Sequence, residues 1–183
     1  MDNMTYQYGT ANNQLLSLDD AIGNSADASD IDDQSANNYT YDGCGRLKTD
    51  AAAGVSEMLW NNAGNIKRIA KAGGNTEYGY DAFNRRAWKK DGGNTDFYVR
   101  DAKGNLLATY RANGSAVTCN TLDIYGDTRL GQYELNKEVE STTTDTGSFK
   151  RGLKRYELTN HIGDVQVVVS DKRALVSGIV KAD

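Results

Sequence analysis

At 183 residues the chain is long enough to bury one core, yet Leu, Ile, Val and Phe together supply only 33 of them, under the fifth that usually marks a core-forming sequence. Eleven Tyr and two Trp offer burial instead, and a formal net charge of −4 is too small for self-repulsion to hold the chain open, so the composition predicts a folded protein with a thin, tyrosine-rich core. No Lys/Arg cluster marks a nucleic-acid or anionic-membrane partner, no apolar run approaches the roughly 18 residues of a spanning helix, and the Met1 to Tyr6 start lacks the basic and apolar regions of a secretory leader.

In chain order, Tyr6-Gln7-Tyr8-Gly9 with Asn12-Asn13-Gln14-Leu15 reads as a degenerate first unit, and Asp19 to Gln34 as an acidic, Ser/Asn/Asp-rich linker; together they fill residues 1–38. A repeat array follows over 39–118. Its units are Tyr41-Asp42-Gly43-Cys44-Gly45-Arg46-Leu47, Trp60-Asn61-Asn62-Ala63-Gly64-Asn65-Ile66, Tyr80-Asp81-Ala82-Phe83-Asn84-Arg85-Arg86 and Arg100-Asp101-Ala102-Lys103-Gly104-Asn105-Leu106. The Asp or Asn recurs at 42, 61, 81 and 101, intervals of 19, 20 and 20 residues. Asp and Asn bond their own backbone two residues on, and Gly or Asn accepts positive φ, so each unit reverses the chain between two strands.

The flanks alternate as half-buried strands do. Thr76, Tyr78 and Tyr80 would share one face, as would Leu106, Ala108 and Tyr110, and later Val165, Val167 and Val169, against Glu77, Asp81, Thr109 and Arg111 on opposite sides. The pattern predicts an all-β, antiparallel sheet with one packed and one wet face, about two strands and two turns per repeat. The best helical candidate is Asp50 to Leu59, through Ala51-Ala52-Ala53, with Gly54 against it. Glu138 to Gly147 reads as a second loop. With no Pro in the sequence, sheet edges must be protected by neighbours.

Tyr41-Asp42-x-x-Gly45-Arg46-Leu47 resembles the YD or RHS repeat, a family that includes bacterial RHS proteins, insecticidal toxin-complex components and animal teneurins. Ile124-Tyr125-Gly126-Asp127-Thr128-Arg129-Leu130-Gly131 and then Arg155-Tyr156-Glu157-Leu158-Thr159-Asn160-His161-Ile162-Gly163-Asp164-Val165 are similar to the start of that family's repeat-associated core region in its Bacteroidetes-type form, which sets a third segment at 119–183. The resemblance runs from about Tyr39 to Arg173 and rests on several motifs in the family's order. It implies a curved, spiralling β-sheet, part of a hollow shell that encapsulates or displays a C-terminal toxin or effector, and a secreted or cell-surface location. Flanking YD repeats and that C-terminal domain are the implied partners. Asn84 departs from the Gly usual at its position, and the proline-rich segment and Asp-Pro-x-x-Gly end of longer relatives are not in this sequence, so neither self-cleavage nor a toxin activity is carried over.

The repeat residues Tyr41, Asp42, Gly45, Arg46, Trp60, Gly64, Tyr80, Asp81, Asp101, Gly104, Tyr125, Gly126, Arg129, Gly131, Tyr156, Asn160, His161 and Gly163 are therefore read as structural, with no catalytic, cofactor or metal site and no enzyme activity expected. His161 with Asp164 invites a catalytic reading, but no motif sets a nucleophile beside them. Cys44 and Cys119 permit a disulfide, a thiol nucleophile or two incidental side chains; with one His they fall short of a zinc site. Asp27, Asp30, Asp32 and Asp33 lack the alternating spacing of a calcium loop and read as solvated. The main rival to a shell wall is an extracellular adhesion or carbohydrate-binding module, in which tyrosines on one face stack on sugars; the scarcity of aliphatics favours their use in the core.

Overall fold

A computed structural model of the protein describes residues 3–21, 33–139, 151–176 and 179–182, with backbone alone for 173–176 and 179–182. Asp27, Asp30, Asp32 and most of the 138–147 loop lie outside the described residues. The chain divides into two compact units, Met1–Tyr78 and Gly79–Asp183. The described residues contain strands and turns and no helix, and every paired strand is antiparallel.

The first unit opens with a hairpin of β1 (Met4–Tyr8) and β2 (Leu15–Asp20). A meander follows in which β3 (Tyr39–Tyr41), β4 (Leu47–Asp50), β5 (Val55–Trp60), β6 (Ile66–Lys71) and β7 (Gly74–Tyr80) each neighbour the next in sequence. The Asp50 to Leu59 segment is turn and strand, not helix. Asn38, 2% exposed, accepts the Ala52 amide at 2.6 Å and donates to Asp50 at 3.0 Å, while Asp50 accepts the Ala53 amide and Gly54 takes φ of +66°. Such bonds would equally cap a helix start, but Gly54 turns the chain in the left-handed region and Val55 pairs with Asp50 and Lys71, so the alanines become a four-residue hairpin loop.

The second unit runs β8 (Arg86–Asp91), β9 (Asn94–Arg100), β10 (Leu106–Asn113), β11 (Ala116–Tyr125), β12 (Arg129–Glu138), β13 (Lys154–Thr159) and β14 (Val165–Ser170) as a second meander, then β15 (Arg173–Val176) paired with β16 (Ile179–Ala182). The 118/119 boundary drawn from the sequence falls inside β11. Two kinds of reversal alternate. Gly92-Gly93 and Gly114-Ser115 close two-residue hairpins, as Ala72-Gly73 does in the first unit, while the longer Asp/Asn loops close the other ends.

The core is thinner than the alternation predicts. Among the described residues the buried apolar side chains are Leu18, Val55, Ala108, Cys119 and Tyr133. β10 keeps the expected sidedness, with Ala108 buried and Leu107 and Arg111 exposed, but β14 exposes Val165, Val167 and Val168 together. One packed face per strand therefore does not hold throughout. Much of the cohesion is instead cross-strand: Thr40 with Thr49, Thr109 with Thr121, Arg68 with Glu57, Arg111 with Asp96 and Arg155 with Glu134.

Close backbone approach matters at Gly131, where φ is +153° and a Cβ would run into the Arg155 carbonyl of the neighbouring strand. Gly131→Ala is expected to cost about 2 kcal/mol or more in urea unfolding, since neither the strained backbone nor the β12–β13 pairing can absorb the methyl. Gly73→Ala, whose Cβ meets nothing within 4 Å, should stay within about 0.5 kcal/mol.

Candidate functional site

The repeated loops are one structure made five times. In the first, the Asp42 amide donates to the Arg46 carbonyl (2.8 Å), the Gly45 amide donates to the Asp42 carbonyl (2.9 Å), and Asp42 Oδ1 accepts the amides of Cys44 and Arg46 (2.9 and 3.0 Å). Asn61 does the same with Gly64, Asn65 and Ala63, and Asp81 with Asn84, Arg85 and Phe83. At Asp101 the carboxylate takes the amides of Gly104 and Asn105. The fifth is Asn160, which accepts from Ile162 and Asp164 while the Gly163 amide returns to its carbonyl.

The fourth residue of each loop has positive φ: Gly45 +78°, Gly64 +81°, Asn84 +61°, Gly104 +99°, Gly163 +93°. Asn84 fits because Asn tolerates the left-handed region better than other residues with a Cβ. The Gly9–Gln14 loop is the degenerate form, one residue longer, with Asn13 at +53° and Asn12 Oδ1 accepting the Gln14 amide.

A second device recurs beside the loops. The Tyr41 hydroxyl donates to the Leu15 carbonyl (2.9 Å), the Trp60 indole N–H to the Leu47 carbonyl (2.8 Å) and the Tyr125 hydroxyl to the Leu106 carbonyl (2.9 Å). In all three the acceptor is the first residue of the strand that follows the preceding long loop. Strand register slips at Thr40/Tyr41, Leu59/Trp60 and Ile124/Tyr125, and such a bulge re-aims the ring backward along the array. Burial raises the Tyr41 and Tyr125 hydroxyls above their ordinary range, with nearby Tyr39 and Asp123, respectively, adding to it. Tyr125 precedes the Gly126–Thr128 bend and none of the five loops; Tyr80, Arg100 and Thr159 hold the equivalent positions at the other three, and Arg100 Nη1 donates to the Gly104 carbonyl (3.2 Å).

Arginines lock the loops together. Arg46 pairs with Asp42 at 2.7 Å, donates to the Asn61 carbonyl of the next loop at 3.2 Å and lies 5.8 Å from the centroid of the Trp60 ring. Arg85 repeats this placement: it sits 4.9 Å over the exposed Phe83 ring, and its guanidinium fills the space a side chain at Gly104 would need. Arg129 bridges three strands, holding Asp123 at 2.7 Å and Glu157 at 2.8 Å. Gly126 closes the intervening bend onto Thr128.

Between the 101–105 and 125–129 loops lies an open cleft of about 760 Å³, lined by Asp101, Lys103, Asn105, Leu107, Tyr125, Asp127 and Arg129 among others, and a smaller hollow of about 190 Å³ lies between Phe83 and Ala102. Asp101, Tyr125 and Arg129 already spend their polar atoms on internal bonds.

The single-residue candidates separate. His161 is exposed at the tip of the fifth loop, and Asp164 gives its amide to Asn160. Cys44 and Cys119 are both free; Cys44 is exposed, while Cys119 is buried, its thiol pushed up by that burial, with Tyr110 bonded to it on the neighbouring strand. Asp33 Oδ1 accepts the Asp20 amide at 2.8 Å. No three His, Cys, Asp or Glu side chains converge as metal ligands among the described residues. Tyr156, on β13, is exposed. The sequence pattern placed Asn160 and Gly163 among its repeat residues but counted four units, not seeing that Asn160-x-x-Gly163 builds the same loop, and it missed Asp123 and Glu157, which no local motif marks. No family model matches the chain, and no curated protein matches it.

Asp81→Ala should cost about 1 to 2 kcal/mol, the loss of two amide partners at a reversal, whereas Asp81→Asn should cost little because Asn61 and Asn160 build the same loop; urea midpoints of the three proteins decide it.

Two loops also predict an acid response. The Asp42 carboxyl is held below its usual range by the Arg46 amide first, with the Arg46 side chain and Cys44 amide adding, and Asp101 by the Asn105 side chain first, then the amides of Asn105, Gly104 and Lys103. A depressed folded value means stability present above the unfolded carboxylate value and lost as pH falls through the folded one. The thermal midpoint should therefore fall on acidification to about pH 3, and fall less in Asp42→Asn/Asp101→Asn, which has nothing to titrate at either loop.

Proposed function

We propose that the chain is wall material: a section of a secreted or cell-surface YD-repeat β-shell that encapsulates or displays a toxin or effector domain carried C-terminal to it, and that it has no catalytic role of its own. The observation that carries this reading is the five-fold recurrence of one Asp/Asn-x-x-Gly/Asn loop, with an aromatic clasp at three positions, in a sheet that buries few apolar side chains. An array extended by repetition suits a surface to be enclosed rather than a single active centre, because each hairpin presents the next with the same kind of edge. Asp101, Tyr125 and Arg129, in the cleft between the 101–105 and 125–129 loops, spend their polar atoms on the fold itself.

The native protein isolated from its source should appear in negative stain as a hollow particle, with a domain inside it that resists protease until the wall is disrupted. A compact solid particle, or an interior domain digested as fast as a free one, would remove the shell reading.

One observation favours a second reading. Tyr6 and Tyr8 stand exposed on one face of β1 with ring centroids 6.5 Å apart and planes inclined by 20°, the disposition of a stacking platform for a sugar. If this is an adhesion module, Tyr6→Ala/Tyr8→Ala should abolish saturable binding on a glycan array; no binding by the folded parent disposes of the idea.

A further inference from the structure

β14 reads Val165-Gln166-Val167-Val168-Val169-Ser170, without a charge or a Pro. It pairs with β13 on one side and, among the described residues, is the last strand of its sheet, the strand next in sequence, β15, pairing with β16 instead. Val165, Val167 and Val168 are 47%, 51% and 52% exposed, and adjacent Val167 and Val168 point to opposite faces. Natural edge strands are usually blunted by Lys, Pro or short length; six uncharged residues with four valines form a template for another strand.

We infer that this edge joins a second copy of the chain by antiparallel pairing of β14 with β14 across a twofold axis near Val168. Three features of the strand select that occupant. The stretch Gln166 to Ser170 is nearly symmetric about Val168, so a twofold there places Val167 and Val169 of one copy beside Val169 and Val167 of the other, the β-branched cross-strand match that stabilises a sheet. Its ends carry opposite charges in the sense antiparallel pairing needs, with Asp164 before the strand and Lys172 after it, so the acidic end of each copy meets the basic end of the other. Asp171, the carboxylate beside Lys172, is held back by the amides of Gly152 and Lys154 at 2.7 and 3.0 Å, which limits its repulsion of Asp164 of the second copy. The inference rests on the edge formed by β14 and the residues flanking it and stands whether or not the chain is a shell wall.

The test is sedimentation equilibrium of the whole chain over a wide concentration range. The parent should fit a monomer–dimer equilibrium. Val168→Lys, at a position already half exposed, should keep the parent's circular dichroism and remain monomeric. Lys172→Glu should raise the dissociation constant roughly tenfold or more by setting like charges together twice, and Asp164→Lys/Lys172→Glu should restore it to near the parent's value. A parent that is monomeric throughout overturns the inference. So does association that Val168→Lys leaves intact, or a charge-swapped double variant no better than Lys172→Glu.

Discussion

One oxygen atom of Asp42, Asn61, Asp81, Asp101 and Asn160 accepts two main-chain N–H groups at a chain reversal, where strand pairing has stopped and no ladder partner is at hand. An amide left without a partner costs about 1 to 3 kcal/mol when water is kept from it, so one side chain makes each reversal self-sufficient. It also fixes the length of the loop. With the length fixed, the bulge before the first two loops turns Tyr41 and Trp60 back onto the carbonyl that opens an earlier strand, as the bulge before the Gly126 bend turns Tyr125. Loop, bulge and clasp together hold consecutive hairpins in register.

That arrangement explains how few aliphatic side chains suffice. Where Leu18, Val55, Ala108, Cys119 and Tyr133 are the buried apolar residues described, hydrophobic burial is spread over many half-covered rings and stems. Ion pairs across strands add little singly, about 0 to 1 kcal/mol when exposed. Arg129 is the exception in geometry, its guanidinium shared between Asp123, with 2% of its side chain exposed, and Glu157, with 15%. Those two carboxylates need the cation more than an exposed acid would, and through them β11, β12 and β13 are pinned at one point. A sheet of this kind is built from local bonds and extended by repetition, which suits the proposed role in enclosure and display.

The loops were legible in the sequence because their chemistry is local: an Asp or Asn, two free positions and a residue that tolerates positive φ are all within five residues. Strand identity was legible for the same reason, through alternation and Tyr, Val and Thr content. The clasps were not, since Tyr41 reaches 26 residues back to Leu15 and its acceptor is a main-chain carbonyl that any residue supplies. The alanines after Asp50 misled because helix propensity is weak beside the strand pairing of Val55 with Asp50 and Lys71, which leaves four residues for the turn. Sidedness failed at β14, where valine marks a surface that another strand would cover as readily as it marks a core. The Arg129 cluster draws on Asp123 and Glu157, 34 residues apart in sequence and ordinary in their local context.

Amide hydrogen exchange at Arg46, Asn65, Arg85, Asn105 and Asp164 is the most direct test, because these amides donate to the loop oxygens and have no strand partner there. If the loop oxygens hold the fold, all five exchange as slowly as amides inside the strands, and replacing Asp42 or Asn61 with Ala releases that loop and the clasp of Tyr41 or Trp60 beside it. Exchange at free-peptide rates in the parent, with the strands still protected, would contradict the account and return the stability to the strands alone.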